Sequence, residues 1–242
     1  ASFMESIWWI FKQLWDQGRI YRSHRIMPYS WKLTTPLSNF EAGSNYKDVQ
    51  DPAITLRVKL LDADPELPAP AYALLWTTTP WTLPGNLAVC AGPEIDYVAL
   101  QDVTDGDVYI LAQARVASVY KSEAQYRILK HYKGSELYGW TYAPLLPYFA
   151  DQPNAFRILN DPFVTTEDGT GLVHMAPAYG EDDFRVCRAE SIELVDPLDA
   201  DCRFTAQVPE YAGQFVKDAD KAIIRRLKDE GKLVHQSTIV HS

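Results

Sequence analysis

The 242-residue sequence predicts a mixed, β-dominated fold, in which a β-barrel-like sheet is flanked by peripheral α-helices. Many short apolar runs occur at irregular intervals, and turn residues such as Asp105-Gly106 and Asp168-Gly169 separate them. Clear helical periodicity is confined largely to the two ends of the chain. This combination favours a barrel or strongly curved sheet over a doubly wound α/β fold.

A helix is predicted over residues 3–17, because apolar residues recur there at helical spacing and Gly18 follows as a left-handed C-cap. Trp8, Trp9 and Trp15 extend its apolar surface almost all the way round. A helix of this kind normally packs between two layers, so we expect the segment to belong to a larger protein.

Residues 54–60 alternate between apolar and polar side chains, which predicts a strand with one face on the core. The Pro-rich segment 65–70 predicts a surface loop. Further strands are predicted at residues 72–79, 97–100, 108–111, 156–159 and 171–175. A second helix over 216–230 would pack inward through Ala219, Ala222, Ile223 and Leu227, and a last strand covers 233–240.

Composition excludes several classes of protein. A hydrophobic fraction of 47% and a net charge of −9 are those of a globular chain and not of a disordered or strongly basic one. No apolar run is long enough for a membrane span, and the first residues lack the pattern of a signal peptide. The three cysteines are dispersed, without a C-x-x-C pair, so we expect a soluble cytoplasmic protein without disulfides.

Common catalytic signatures are missing from the sequence. It contains no H-E-x-x-H, G-x-S-x-G or P-loop motif, and Gly169-Thr-Gly171 lacks the third glycine of a dinucleotide fingerprint. The five histidines have no ligand spacing relative to the cysteines. We therefore predict no metal and no cofactor.

Two segments are unusual enough to carry function. The first, residues 76–86, reads WTTTPWTLPGN and carries Thr77, Thr78 and Thr79 in succession before a rigid loop. The second, residues 168–183, contains His174 on a short apolar run and ends in the acidic cluster Glu181-Asp182-Asp183. Taken singly, each has an ordinary interpretation: threonine is a good strand former, a strand histidine is usually a core residue, and acidic pairs often begin helices.

Together, the two segments resemble the editing domain of isoleucyl-tRNA synthetases, the class I insertion called connective polypeptide 1. The family pattern reads WTTTPWTLPGN and then GTG-x-V-H-x-A-P-A-x-G-x-x-D, and this sequence carries both without a gap. The flanking ESIWW, MPYSWKLTTPLSNFE and TIVHS segments are also similar. The valyl and leucyl editing domains have Arg where Thr79 stands here, and the valyl type has Lys in place of His174.

The resemblance implies a division of the chain. Residues 1–45 would form the N-terminal helix and strands that connect to the synthetase core, 46–232 the editing domain, and 233–242 the return strand. Neither ATP-binding signature of class I synthetases is present, so no amino-acid activation is expected. Ser30 and Thr34 stand where many bacterial relatives carry a zinc knuckle, which argues against zinc.

The resemblance also implies the reaction, which is hydrolysis of valine mischarged onto isoleucine tRNA. Asp183, Thr78, Thr79 and His174 are the catalytic candidates, and Thr77 and Trp81 join them in binding substrate. Asp183 would hold the substrate ammonium, with Glu181 and Asp182 as weaker candidates. The implied partners are the mischarged tRNA 3′ end, valyl-adenylate as a second substrate, and the synthetase core, in a monomer without membrane contact.

Two alternatives remain open. The chain could be a tRNA-binding or docking module without chemistry, or an editing domain of the related valyl or leucyl type. Because the net charge is −9, RNA binding would depend on local basic residues. Two clusters are candidates, one between residues 19 and 32 and one on the second helix: Arg19, Arg22, Arg25, Lys32, Lys221, Arg225, Arg226 and Lys228.

Overall fold

The computed structural model describes residues 2–44, 46–68 and 70–241. It confirms the predicted fold class, since a curled, half-barrel sheet of ten strands forms the body and the helices lie around it. The predicted boundary at residue 45 falls on a residue outside the described ranges.

The strands, in chain order, are β1 (Tyr29–Ser30), β2 (Thr35–Pro36), β3 (Val49–Asp62), β4 (Ala71–Thr77), β5 (Ala88–Ala91), β6 (Asp96–Asp102), β7 (Val108–Ala112), β8 (Tyr126–Lys133), β9 (Thr141–Tyr142), β10 (Ile158–Asn160), β11 (Leu172–Met175) and β12 (Leu233–His241). The α-helices are α1 (Ser2–Asp16), α2 (Asn39–Ala42), α3 (Val116–Val119), α4 (Glu181–Ala189) and α5 (Val216–Asp229). A 3-10 helix, Pro80–Gly85, follows β4.

The main sheet runs in the order β10-β5-β11-β4-β7-β6-β8. Strand β3 pairs with β4 along one edge and with β12 and β9 along the other. Strand β4 lies at the branch, because its first residues pair in parallel with β7 and its end pairs in parallel with β11. The sheet separates a large apolar core from a smaller one, which contains Leu74, Val98, Leu100, Tyr109, Leu111, Val116 and Tyr120.

The alternation predicted for β3 is confirmed on its core face, where Ile54, Leu56, Val58 and Leu60 are buried. Thr55, predicted to face water, is also buried, so the outer face of β3 is covered at this position. On α5, Ala219, Ile223 and Leu227 are buried as predicted. The helix packs Ile224 inward in place of the predicted Ala222, which is exposed.

Residues 72–79 do not form one strand. Strand β4 ends at Thr77, and Thr78 and Thr79 lie in the turn that leads into the 3-10 helix. Two local causes end the strand: Pro80 restricts the residue before it, and the Thr77 hydroxyl accepts the Thr79 backbone N–H at 3.1 Å. The turn therefore breaks the alternation of the threonine side chains and turns the hydroxyls toward one another.

Helix α1 forms as predicted but does not pack between two layers within the described chain. None of its residues is buried, and its tryptophans Trp8, Trp9 and Trp15 are all more than half exposed. None of the helices in the described ranges combines the length and the apolar character needed to cross a membrane.

Candidate functional site

Parallel pairing brings the two unusual segments together. Val173 of β11 lies opposite Trp76 of β4, so the carboxyl ends of both strands reach the same edge of the sheet. The threonine turn leaves β4 at this edge, and the loop that leads to α4 leaves β11 beside it. Residues almost a hundred positions apart thereby face one cavity.

The cavity has a volume of about 430 Å³, which is within the usual range for small-molecule sites. Five of the six predicted site residues line it: Thr77, Thr78, Thr79, His174 and Asp183. Trp81 does not; its ring packs on Tyr179 at 5.1 Å and lines a second, neighbouring cavity. The segment 163–171 also lines the cavity; the sequence analysis singled out only its last part, 168–171, as the start of the second segment.

The threonines form a continuous chain of hydroxyl contacts. The Thr77 and Thr79 hydroxyl oxygens are 3.2 Å apart, and those of Thr79 and Thr82 are 3.3 Å apart. The Thr82 hydroxyl donates to the Thr79 carbonyl at 2.8 Å, and the Thr82 backbone N–H donates to the same carbonyl at 3.0 Å, which begins the 3-10 helix. Thr82 was not among the predicted site residues, although it stands inside the motif. These hydroxyls give this wall of the cavity neutral hydrogen-bond donors and acceptors and no charge.

His174 is held as a neutral imidazole. Its Nδ1 lies 3.1 Å from the Asn86 amide nitrogen, which can only donate, so Nδ1 accepts and Nε2 carries the proton. That Nε2 donates to the Thr82 hydroxyl at 2.8 Å. Tyr142 fixes the Asn86 orientation by donating to its side-chain oxygen at 2.8 Å. Burial lowers the pKa of His174 to about 4, so the ring is uncharged at neutral pH.

Asp183 is the half-buried acid of the cavity; Glu167 and Asp168 also line it but are exposed. Asp183 lies in the first turn of α4, and its Oδ2 accepts the Ala176 backbone N–H at 2.8 Å. Desolvation raises the pKa of Asp183 to about 6, against the lowering effect of that hydrogen bond. Among the described residues, no Lys, Arg or His side chain forms an ion pair with it. A partly buried carboxylate without a cation is a ready acceptor for a positively charged ligand.

The other two acids of the cluster have different surroundings. Asp182 pairs with Arg185 at 2.8 Å, and the same guanidinium binds Asp161 through two contacts of 2.8 and 3.0 Å. Glu181 is exposed and lines a different cleft. The Arg185 network anchors α4 to the segment after β10, which holds Asp183 at the cavity wall.

Gly180 permits the close approach of Asp183. A Cβ atom at this position would lie 2.6 Å from the Asp183 Oδ1 and 2.8 Å from its Cγ. Any larger residue would therefore displace the carboxylate, since real Cβ atoms do not approach that closely. The glycine of the motif has a steric reason that the sequence alone did not reveal.

Arg115 holds the loop around Glu167 and Gly169, which lines the cavity. Its Nε donates to the Gly169 carbonyl at 2.8 Å, and its Nη1 donates to the Glu167 carbonyl at 3.0 Å. Thr170 adds a bond from its hydroxyl to the Leu74 carbonyl at 2.6 Å, which ties the same loop to β4. Sequence reasoning missed Arg115, because nothing in its local pattern signals partners more than fifty residues away.

The second basic cluster is weaker than predicted. Arg226 is engaged by Glu230 at 2.8 Å, by Glu210 at 3.5 Å and by the Tyr148 hydroxyl, to which it donates at 2.8 Å. Arg225 is largely exposed and lies 3.9 Å from Asp229. Because a paired guanidinium is less available to phosphate, Arg226 contributes less positive surface than its sequence indicated, whereas Lys221 and Lys228 are exposed and form no ion pair among the described residues.

The lining of the cavity suits a small ligand that carries a cationic group and hydroxyl groups. One wall offers a carboxylate, another offers neutral hydroxyls, and a fixed uncharged imidazole lies between them. The Thr82–His174 contact in the cavity lining does not activate the hydroxyl as a nucleophile, because the imidazole donates its Nε2 proton to that hydroxyl and accepts from Asn86 at Nδ1.

Comparison with known proteins identifies the family. The profile of the family described as "tRNA synthetases class I (I, L, M and V)" matches residues 1–238. The isoleucine–tRNA ligase of Bdellovibrio bacteriovorus is 51% identical over the whole chain, and the mouse cytoplasmic isoleucine–tRNA ligase is 48% identical. The chain spans 23% and 19% of the length of these two relatives.

Solved structures with the same fold are editing domains. The cytosolic leucyl-tRNA synthetase editing domain of P. falciparum superposes with a TM-score of 0.58 at 10% identity, covering 79% of this chain and 99% of that one. The structure named GlLeuRS-CP1 gives 0.57 at 17% identity, covering 76% and 98%. The chain therefore belongs to the class I tRNA synthetases of the isoleucine, leucine, methionine and valine group, as a segment with the fold of their editing domains.

Proposed function

We propose that the chain hydrolyses the ester that joins valine to the 3′-terminal ribose of isoleucine tRNA. The observation that carries the proposal is the position of Asp183, a carboxylate without an ion-pair partner among the described residues, in one cavity with the threonine hydroxyls. An aminoacyl ester offers a matching pair of groups, an α-ammonium and a ribose with free hydroxyls.

Asp183 binds the α-ammonium in this proposal. A carboxylate and an ammonium form a charge-assisted hydrogen bond, which is stronger inside a partly desolvated cavity than in water. Binding of the cation also offsets the desolvation that raises the pKa of the carboxyl group. The fixed contact with the Ala176 N–H leaves Oδ1 as the oxygen that receives the substrate.

The volume of the remaining cavity selects substrates by the size of their amino-acid side chain. Isoleucine exceeds valine by one methylene, and a binding pocket separates such a pair by only about 1–3 kcal/mol, a magnitude established on isoleucyl-tRNA synthetases themselves. A second site that admits valine and excludes isoleucine by volume adds the missing selectivity. His174 suits this role, because its hydrogen bonds to Thr82 and Asn86 fix the ring and prevent it from moving aside.

Hydrolysis proceeds by a positioned water in this proposal. The water oxygen bonds to the ester carbonyl carbon, and the bond from that carbon to the ribose 3′ oxygen breaks. The proton that the water loses ends on the leaving 3′ oxygen. The threonine hydroxyls orient the ribose and the water, while the neutral His174 neither accepts nor supplies a proton at neutral pH. A covalent intermediate would need a nucleophile activated by a base in contact with it, whereas the Asp183 carboxylate accepts from the Ala176 N–H and His174 donates to the Thr82 hydroxyl.

The same proposal includes the partners of the chain. The mischarged tRNA 3′ end is the main substrate, and valyl-adenylate is a second one that carries the same ammonium. The catalytic core of a synthetase would supply the mischarged tRNA. We propose that the chain acts as a monomer in the cytoplasm.

Deacylation assays test the proposal. The chain is mixed with isoleucine tRNA charged with either valine or isoleucine, and ester loss is followed over time. We expect rapid loss of valine and slow loss of isoleucine, and we expect Asp183→Ala to abolish the first. Inertness toward both esters at saturating protein would contradict the proposal and would favour a binding module. Preference for a noncognate ester on valine or leucine tRNA would favour the related editing types.

A further inference from the structure

Asp220 is a buried acid on the inner face of α5. It is only 5% exposed, and it lies four residues after Val216 and three before Ile223, which are buried on the same face. Burial of a carboxylate among apolar side chains costs free energy unless a polar partner compensates for it. An apolar residue would pack at this position at lower cost, so the stability of the core does not explain the acid.

The polar partner of Asp220 is a backbone group. The Lys217 ammonium, on the preceding turn of the helix, forms an ion pair with Asp51 at 2.7 Å. Within the described ranges, Asp220 forms no ion pair, and its Oδ1 has no hydrogen-bond partner. Burial raises the pKa of Asp220 to about 6, and attraction by Lys217 and a hydrogen bond from the Trp81 backbone N–H oppose that rise. The carboxylate therefore serves as an acceptor for the Trp81 N–H.

The Trp81 N–H belongs to the 3-10 helix that follows the threonine turn, and α5 packs against this helix. Pro80, at its first position, has no N–H, and the Thr82 N–H donates to the Thr79 carbonyl at 3.0 Å. The Trp81 N–H between them has no acceptor within the helix, because the first turn of a helix leaves such groups free. The residue before a helix often supplies the acceptor from its side chain, but Thr79 does not. Its hydroxyl instead contacts those of Thr77 and Thr82, at 3.2 and 3.3 Å.

The acceptor on α5 leaves the Thr79 hydroxyl available to the cavity. Thr79 lines the cavity together with Thr82, and the Thr82 hydroxyl is 2.8 Å from the His174 Nε2. Both threonines flank the N–H that Asp220 receives, so a shift at the start of the 3-10 helix would move their hydroxyls together. A displacement of about 1 Å in a catalytic arrangement can cost about 100-fold in rate.

We propose that Asp220 is a positioning residue for the hydrolytic cavity, which holds the threonine turn in place by accepting the Trp81 N–H. This inference rests on the proposed function, which assigns the threonine hydroxyls to the ribose and the water. Asp220 lies outside the lining of the cavity, so it acts through the backbone of the 3-10 helix and not on the substrate. Its helix thereby connects the far side of the threonine turn to the reaction.

Variants that remove the acceptor, and one that keeps it, test the inference. Asp220→Ala and Asp220→Val leave the Trp81 N–H without an acceptor, whereas Asp220→Asn keeps a side-chain oxygen. The substrate is isoleucine tRNA charged with valine. The two acceptor-free variants should lose about 10- to 100-fold in kcat, while KM changes by less than about threefold because Asp183 still binds the ammonium. Asp220→Asn should keep kcat within about threefold of the wild type, since its oxygen still accepts the N–H.

Two further measurements separate positioning from a general loss of structure. In urea unfolding at pH 7, at least one acceptor-free variant should be no less stable than the wild type, because each removes a buried charge. Hydrogen exchange followed by mass spectrometry should accelerate over residues 79–86 in these variants and stay unchanged in β6. Asp218→Ala is the matched control: it removes an exposed acid from the same turn of α5 and should change neither kcat nor the exchange.

The outcomes distinguish this inference from the proposed function. A wild type that is inert toward the valyl ester would contradict the proposed function, and the exchange of residues 79–86 would still report whether Asp220 holds the turn. An active wild type and an unchanged kcat in a stable acceptor-free variant would overturn the positioning role. An equal loss of kcat in Asp220→Asn would also overturn it, because the charge and not the acceptor would then be responsible. Unfolding of both acceptor-free variants at the assay temperature would overturn it as well, since Asp220 would then support the whole fold and not the turn.

Discussion

Replacing Asp183 with asparagine should stabilise the fold at pH 7 while it removes the hydrolytic activity. Desolvation raises the pKa of Asp183 to about 6, whereas an unfolded aspartate has a pKa of about 3.9. Two pKa units at about 1.4 kcal/mol each give at most about 3 kcal/mol of unfavourable free energy when the group is ionised. The amide retains an oxygen that can accept the Ala176 N–H, so the substitution removes the charge and little else.

The pH dependence has a definite sign. Because the folded-state pKa is the higher one, the folded chain binds more protons than the unfolded chain between about pH 4 and 6. The wild type therefore loses stability as the pH rises through this window, and the asparagine variant does not. The advantage of the variant should be full above about pH 6 and should disappear below about pH 4, where both states of the wild type are protonated.

Urea unfolding at pH 4, 5, 6 and 7, followed by tryptophan fluorescence, measures this difference in the free energy of unfolding. Burial also raises the pKa of Asp220 to about 6, but this group is present in both chains and cancels in the comparison. Asp182→Asn is the matched control. It removes the neighbouring charge, which is 52% exposed and paired with Arg185, and should change stability by less than about 1 kcal/mol at every pH.

Two outcomes would refute the reasoning. A variant no more stable than the wild type at pH 7 would mean that the carboxylate is well solvated or already paired. A stability gain that persists at pH 4 would mean that packing, and not charge, accounts for the effect. Retained valine removal by Asp183→Asn would contradict the role of the carboxylate in binding the ammonium.

Four further predictions concern the same cavity. Gly180→Ala should lower kcat/KM for the valyl ester at least about tenfold, because its Cβ displaces the Asp183 carboxylate; an unchanged kcat/KM would show that the carboxylate tolerates the shift. Arg115→Gln should free the segment 163–170, so limited proteolysis there should accelerate while a site in α5 stays protected. His174→Ala should let the isoleucyl ester be hydrolysed, which the ratio of the two deacylation rates would report. Finally, kcat/KM should fall as the pH drops through about 6, since protonated Asp183 cannot hold the ammonium, and a fall centred near 4 would instead implicate His174.

Most strands of the main sheet were predictable from the sequence, including β7, which is buried at every position, but β5 and β8 were not. Strand β3 shows a clear alternation because its core face is fully buried. Strand β8 was missed because it is an edge strand in which most side chains are exposed or half-buried, so burial imposes little pattern on its sequence. Strand β5 was missed because it is buried on both faces and only four residues long.

The threonine segment illustrates a second limit. Threonine favours strands, and its three consecutive positions predicted one, but Pro80 and the Thr77 hydroxyl end the strand two residues early. This competition between side-chain and backbone hydrogen bonds depends on geometry that propensity does not describe. The same turn moved Trp81 from the predicted wall into the neighbouring cavity.

The sequence by itself determined the chemistry that the chain can use: neutral hydroxyls, one strand histidine and an acidic cluster at the start of a helix, in a pattern that resembles one family. The resemblance selected Asp183 among the three acids, but helix periodicity alone could not, because three consecutive residues on a helix point in directions about 100° apart. The tertiary structure supplies the physical reason: Arg185, which Asp161 holds from the segment after β10, pairs with Asp182, and Asp183 is the acid of the three that lines the cavity. The parallel pairing of β4 with β11 then determined that the hydroxyls and the carboxylate share one site, since such contacts between distant residues depend on the packing of the whole sheet.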